Sequence, residues 1–214
     1  MMTKSYLIIS VDDLNGGSFH EYADLHAYLK ETQLKVTYFP TKAGDGKVRP
    51  KIIDGMKANT AFELGWHGYK VGKLDTDPVS NIDSGINDNV IAWPFGVIDN
   101  RASTNRNRIV ARGVRGIPND LLAESFNMSC LNSFSLGYRS IHQSYQGSRN
   151  SPASIISNAF DSAGKLVSLH LHNSKGFSVK DLEFVVETAE GRPNVEIKFQ
   201  SEMADIYNNL PTLS

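Results

Sequence analysis

The stretch YLIISVDDLN, residues 6–15, reads as a β-strand that runs straight into two carboxylates. Residues 6–11 are almost all apolar, and Ile8, Ile9 and Val11 are branched at Cβ. A run of that kind without polar alternation suits a strand covered on both faces. Asp12 and Asp13 follow with no spacer. Adjacent acids repel, so a pair at the end of a buried strand implies one of two settings. Asp-Asp-Leu-Asn can form a solvated turn or helix cap, or the repulsion can be offset by a cation and an arginine. In the second setting the two side chains divide labour, one binding the ion while the other acts as a base beside it.

Outward from this strand, residues 18–33 place Phe19, Tyr22, His26 and Leu29 on one helical face behind Ser18 as N-cap. Residues 35–40 read as the next strand and 48–58 as a helix. Further strands are expected over 61–68, 89–96, 108–116, 165–173 and 194–199, with helices over 153–164 and 179–191 that run into Gly164 and Gly191. Strands alternating with helices imply parallel pairing with crossover helices, hence an α/β fold. About seven such strands within 214 residues favour a barrel over an open sheet, in a single domain spanning 1–214. Residues 72–88 and 131–152 show no period and are expected to be irregular loops of the kind that carry function or move.

Composition removes several classes. Lys and Arg number 22 against 23 Asp and Glu, a net charge of −1, which argues against a nucleic-acid partner held by excess positive charge. The single cysteine, Cys130, excludes an intramolecular disulfide framework and a CxxC metal knuckle. No segment reaches membrane-spanning length, and the first residues have neither the apolar run nor the cleavage pattern of an export leader. The expectation is a cytoplasmic protein without a membrane partner.

In a parallel barrel the strand C-termini open on one face, where chemistry collects. Here those positions carry Asp12 and Asp13, Glu63 and His67, Trp93 and Pro94, Arg112 and Arg115, and His170 and His172. His170 and His172, two apart on a strand, share a face. A lone histidine such as His67 is more often a hydrogen-bonded structural residue than a ligand, and His26 is expected to pack within the helix face. A serine hydrolase using Ser168 or Ser174 with these histidines ranks last, because the chain has no Gly-x-Ser-x-Gly elbow.

The order of these segments resembles the polysaccharide deacetylase family, carbohydrate esterases with a NodB-type domain. ISVDDL is similar to the family's first motif, FELGWHGY to its second, IAWPFG to a variant of its third, VARGVRG to its fourth and KLVSLHLH to its last. The resemblance spans about residues 6–199. It implies a distorted or incomplete (β/α) barrel and metal-assisted removal of an acetyl group from an N- or O-acetylated carbohydrate or related small molecule. By the same likeness Asp12 is the catalytic base, and Asp13 and His67 bind a divalent ion, zinc by preference. His170, or His172 in its place, protonates the leaving group, and Arg112 holds the charge and orientation of Asp12. Trp93 and Phe95, with His172, line the substrate pocket.

The sequence also departs from the family. A second metal-binding histidine is expected four residues after the first, and Val71 stands there. Gly68 replaces the usual Ser or Thr, and Ala92 replaces the arginine of the third motif, a role Arg112 or Arg115 could take over. Asp75 or Asp77 could complete the ligand set, or water could fill it with weaker binding. If neither does, the chain is a catalytically inactive carbohydrate-binding member of the same fold.

Overall fold

The computed structural model describes residues 4–12, 23–40, 50–67, 86–92, 112–113, 117–123, 131–136, 151–171 and 179–209. Its centre is the strand read first from the sequence. β1 (Ser5–Asp12) is buried along its whole length. One of its edges is taken by β9 (Lys165–Leu171) in parallel register, from Tyr6 opposite Leu166 to Val11 opposite Leu171. The other edge is divided: β10 (Val195–Lys198) pairs with Ser5–Ile8, and β2 (Val36–Phe39) pairs with Ser10–Asp12. A strand flanked on both edges and covered on both faces has no use for polar alternation, which explains the continuous apolar run.

Beyond β2 the sheet continues through β3 (Phe62–His67) to β4 (Ile86–Ala92), both parallel. On the far side of β9 the edge is again divided. β6 (Asn119–Asp120) runs antiparallel to its start, and β8 (Phe134–Leu136) runs parallel to its end. Among the described residues the central sheet thus has eight strands, seven of them parallel, and stays open from β4 to β6 and β8 instead of closing as a barrel. Arg112–Gly113 (β5) and Leu131–Asn132 (β7) form a separate two-stranded sheet. The expected strand over 108–116 is therefore described only as a short piece outside the central sheet.

Helices α1 (Ala23–Thr32), α2 (Pro50–Ala58), α3 (Pro152–Phe160) and α4 (Val179–Glu190) contribute to one face. Leu25, Leu29, Met56, Ile156, Phe160, Leu182 and Val185 pack there against Leu7, Ile9 and Val11 of β1 and Val167, Leu169 and Leu171 of β9. α3 begins under the Ser151 hydroxyl, which accepts from the Ser154 N–H, and has Pro152 at its first turn, where no N–H is needed. It ends at Phe160 with the Asp161 N–H turned back onto Asn158 O, so Gly164 is not its cap. Gly164 lies in the turn that launches β9, with φ of +69°, and a Cβ there would come 2.7 Å from Leu122 Cγ. Gly191 does follow α4 directly, its N–H donating to Glu187 O. His26 is buried between α2 and β2, as the helical pattern implied: a Cβ on Gly55 would meet its ring at 2.7 Å, and its ring centroid is 6.4 Å from that of Tyr38.

The opposite face is apolar only in its first half. Tyr6, Ile8 and Leu166 are covered by Leu121, Leu131 and Met203, the last from α5 (Glu202–Asn208), a helix with no sequence expectation. Asn119 sews this cover to the sheet. Its Nδ2 donates to Asn132 O and Leu166 O, and its Oδ1 accepts from the Asn132 N–H. Past Ile8 and Leu166 the same face turns polar.

Candidate active site

Strand alternation and register decide which side chains meet on that polar half. Tyr6 and Ile8 face away from the helices, so Ser10 and Asp12 do too. Ser10 is paired with His170 and with Thr37, and residues paired in register share a face, which adds His170 and Thr37 to it. Asp12 and His170 therefore emerge on one face, near the C-terminal ends of adjacent strands. Both are buried, with exposures of 2% and 3%. A buried carboxylate and a buried imidazole where Leu or Val would normally pack carry a desolvation cost that calls for a chemical or hydrogen-bonding reason.

His170 has a defined hydrogen-bonding environment. Its Nδ1 lies 2.9 Å from the Ser133 hydroxyl. Ser133 Oγ is also 3.1 Å from Ser168 O and 3.1 Å from Ser168 Oγ. Ser133 connects β7 to β8, so the short turn between the two sheets delivers the hydroxyl to the imidazole. Ser168 is thus tied to Ser133, not to a histidine. On the other edge of β9, Ser10 Oγ donates to Leu169 O.

Glu63 proves to be structural. It lies near the start of β3, and its carboxylate accepts from Thr37 Oγ1 at 2.6 Å and from the Ser201 N–H at 3.1 Å. That fastens the beginning of α5 beneath β2 and β3 and leaves His67 as the last residue of its strand. Next to Asp12 in register is Phe39, whose ring fits over Gly65 so closely that a Cβ there would lie 2.3 Å from Phe39 Cε1. Phe39, Val90 and Ala92 form a small apolar cluster beside the acid. The register of β3 with β4 slips between Gly65 and Trp66, the bulge falling just before His67.

Of the residues singled out in the sequence, Asp12 and His170 are brought together as described. For His67 and Arg112 the description covers the backbone. His67 closes β3 at the same sheet edge as Asp12, whereas Arg112 pairs with Leu131 in the small sheet, two positions ahead of Ser133. Asp13, Trp93, Phe95 and His172 lie outside the described residues, as do Val71, Asp75, Asp77, Arg115 and Cys130. Among the described residues there is no group of three or more His, Cys, Asp or Glu able to hold a metal ion, and no helix is long and apolar enough to cross a membrane. The sequence reading missed Ser133 and Thr37. Ser133 falls in the segment expected to be irregular, and only its pairing with β9 brings it to the site.

Solved structures share this architecture. The chain matches the Xyl-CE4 domain of a multidomain xylanase from the hindgut metagenome of Trinervitermes trinervoides with a TM-score of 0.53 and 14% identity, over 99% of this chain and 95% of that one. It matches a proposed polysaccharide deacetylase from Mycobacterium smegmatis with a TM-score of 0.56 and 14% identity, over 97% of this chain and 91% of that one. No protein-family model matches the sequence, and no curated protein is significantly similar to it.

Proposed function

We propose that this chain, which has the fold of the polysaccharide deacetylases, is a metal-dependent hydrolase that removes an acetyl group from an N- or O-acetylated carbohydrate or a related small molecule. The observation that carries this reading is the buried pair Asp12 and His170, on one polar face near the C-terminal ends of adjacent parallel strands. That edge is where parallel α/β folds place their chemistry.

The donor set fits a divalent ion in type. By the family resemblance its donors are the carboxylate of Asp13 and the imidazole of His67, the last residue of β3. A carboxylate and an imidazole are both ordinary zinc donors. When bound, such an ion supplies Lewis-acid polarisation of the acetyl carbonyl and lowers the pKa of water at the site.

The residues of the chain do the rest. Asp12, on the face that becomes polar past Ile8, takes the proton of the attacking water. Its burial beside Phe39 keeps bulk water from competing for that carboxylate. His170 gives a proton to the departing amine or alkoxide, which would otherwise leave as a poor, strongly basic anion. Arg112 balances the charge of Asp12, while Trp93 and Phe95 present flat apolar surfaces to the sugar ring and His172 contacts the substrate.

A second reading, a carbohydrate-binding protein without turnover, draws on Val71, which stands where the family resemblance calls for another metal-binding histidine. The two separate in one experiment. Protein stripped with chelator, reloaded with zinc and desalted is assayed for metal content and for hydrolysis of acetylated chitooligosaccharides and an aryl acetate, with cobalt and nickel as alternative ions. The hydrolase reading expects metal that disappears in Asp13→Ala and turnover that disappears in Asp12→Ala. Saccharide binding with neither bound metal nor turnover, even under excess free metal, would establish the second reading.

A further inference from the structure

Ser133 is fully buried, so no substrate reaches its hydroxyl as a nucleophile, yet that hydroxyl makes three polar contacts within hydrogen-bond distance. A serine hydroxyl has one proton to give and two lone pairs to fill. Ser168 O is a carbonyl and can only accept, so the contact at 3.1 Å uses the Ser133 proton. Ser168 Oγ donates to Ser133 Oγ and fills one lone pair. What remains for His170 Nδ1, at 2.9 Å, is the second lone pair, and filling it requires Nδ1 to carry a hydrogen. If Ser133 instead donated to Nδ1, the contact with Ser168 O would have no proton between its two oxygens. Only the Nδ1–H arrangement satisfies all three contacts.

We infer that Ser133 is a positioning residue that holds His170 as the Nδ1–H tautomer and makes Nε2 the nitrogen that exchanges the catalytic proton. The inference rests on the reading of His170 as the acid of the proposed reaction. Its functional consequence follows from the charge states. Nδ1 donates to Ser133 both in the neutral imidazole and in the imidazolium, so loading and unloading Nε2 leaves the Ser133–Ser168 contacts unchanged. Ser168 lies two residues before His170 on the same face of β9, so the strand itself supplies the carbonyl and hydroxyl that aim Ser133. Ser133 itself is carried on the link between β7 and β8, and β8 is in register with the end of β9. The imidazole is thus oriented by a neutral hydroxyl whose single proton is committed to the backbone.

The test reads the tautomer directly, without turnover. Protein labelled with 15N-histidine is examined by two-bond 1H–15N correlation above the pH at which the ring is neutral, with the His170 signals assigned by their loss in His170→Gln. The expected result is a protonated Nδ1 and an unprotonated Nε2 at His170. Ser133→Ala should shift that ring toward Nε2–H and lower kcat roughly 10- to 100-fold with little change in KM. Ser133→Thr, which keeps the hydroxyl, should retain the wild-type tautomer and most of the rate. An Nε2–H tautomer in the wild-type protein, or an unchanged Nδ1–H in folded Ser133→Ala, overturns the inference. If Ser133→Ala does not fold, the wild-type and Ser133→Thr spectra decide it. Hydrolysis that survives His170→Gln would instead refute His170 as the acid, a failure of the proposed function that the tautomer measurement distinguishes from its own.

Discussion

His170 Nδ1 and Ser133 Oγ stand 2.9 Å apart although 37 positions separate them in the chain. One sits on a strand that the sequence announces by its apolar run, the other in a segment whose composition announces nothing. Their meeting depends on β8 lying in register with β9, Ser135 opposite His170.

The first prediction concerns the buried pair itself. Asp12→Asn keeps size and shape and His170→Gln keeps approximate volume and a polar group, while each removes the proton-transfer function. Each should lower kcat by roughly 100-fold or more and leave the thermal midpoint within a few degrees. Steady-state kinetics beside thermal melting measures both. Full turnover in either folded variant would remove that residue from the mechanism.

Acid stability should reflect His26. Burial beneath α2 pushes its pKa down to about 4 from the ordinary 6.5. The unfolded chain therefore takes up this proton first as pH falls. The contribution of the neutral ring is complete above pH 6.5, declines between 6.5 and about 4, and is constant below that, a loss of roughly 3 kcal/mol. Urea unfolding of wild type and His26→Leu at several pH values isolates it, since the carboxylates common to both proteins cancel in the difference. An identical pH slope in the two proteins would show that His26 is not the group responsible.

Gly65 is expected to tolerate no side chain. An alanine Cβ would lie 2.3 Å from Phe39 Cε1 and 2.9 Å from Val90 O, displacing the ring of Phe39, the residue paired with Asp12. Gly65→Ala should cost roughly 1–3 kcal/mol and reduce turnover as well. Combining it with Phe39→Leu should restore part of the stability, because the smaller side chain vacates the clash. A double-mutant cycle by chemical denaturation measures the coupling, and strictly additive losses would contradict the contact.

Asn119 should matter more than its exposure-prone residue type suggests. Its amide serves both strands that it joins, donating to Asn132 O and Leu166 O and accepting from Asn132 N–H. Asn119→Ala leaves those backbone groups without the amide and should cost roughly 1–3 kcal/mol. Hydrogen exchange should show the loss concentrated at Leu131–Leu136. Uniform loss of protection across β1 and β9 would mean that the amide acts on global stability instead.

Much of the framework was legible in the sequence. The strands at β1, β2, β3, β9 and β10 and the helices at α1 to α4 were expected within a few residues of where they lie, because each has its own apolar period or run. Less legible were β6, β7, β8 and α5. The strands are two or three residues long and are held by partners from β9, β5 and the Asn119 side chain, not by local propensity. The segment 131–152 looked irregular for that reason, and its first six residues are largely strand. Glu63 shows the opposite error: expected among the strand-end groups, it belongs to the hydrogen bonds that seat α5.

The sequence by itself determined the α/β class, the central strand, and the arrival of Asp12 and His170 near strand ends. Those features follow from local side-chain chemistry: β-branched runs extend, amphipathic stretches coil, and a period of two fixes which side chains share a face. Tertiary structure alone decided that β1 and β9 are neighbours, that the described sheet remains open, and that Ser133 is the hydroxyl against His170. Strand order and register are settled by which apolar faces can be buried together and which backbone groups then find partners. Both are sums over residues far apart in the chain, and no local pattern contains them.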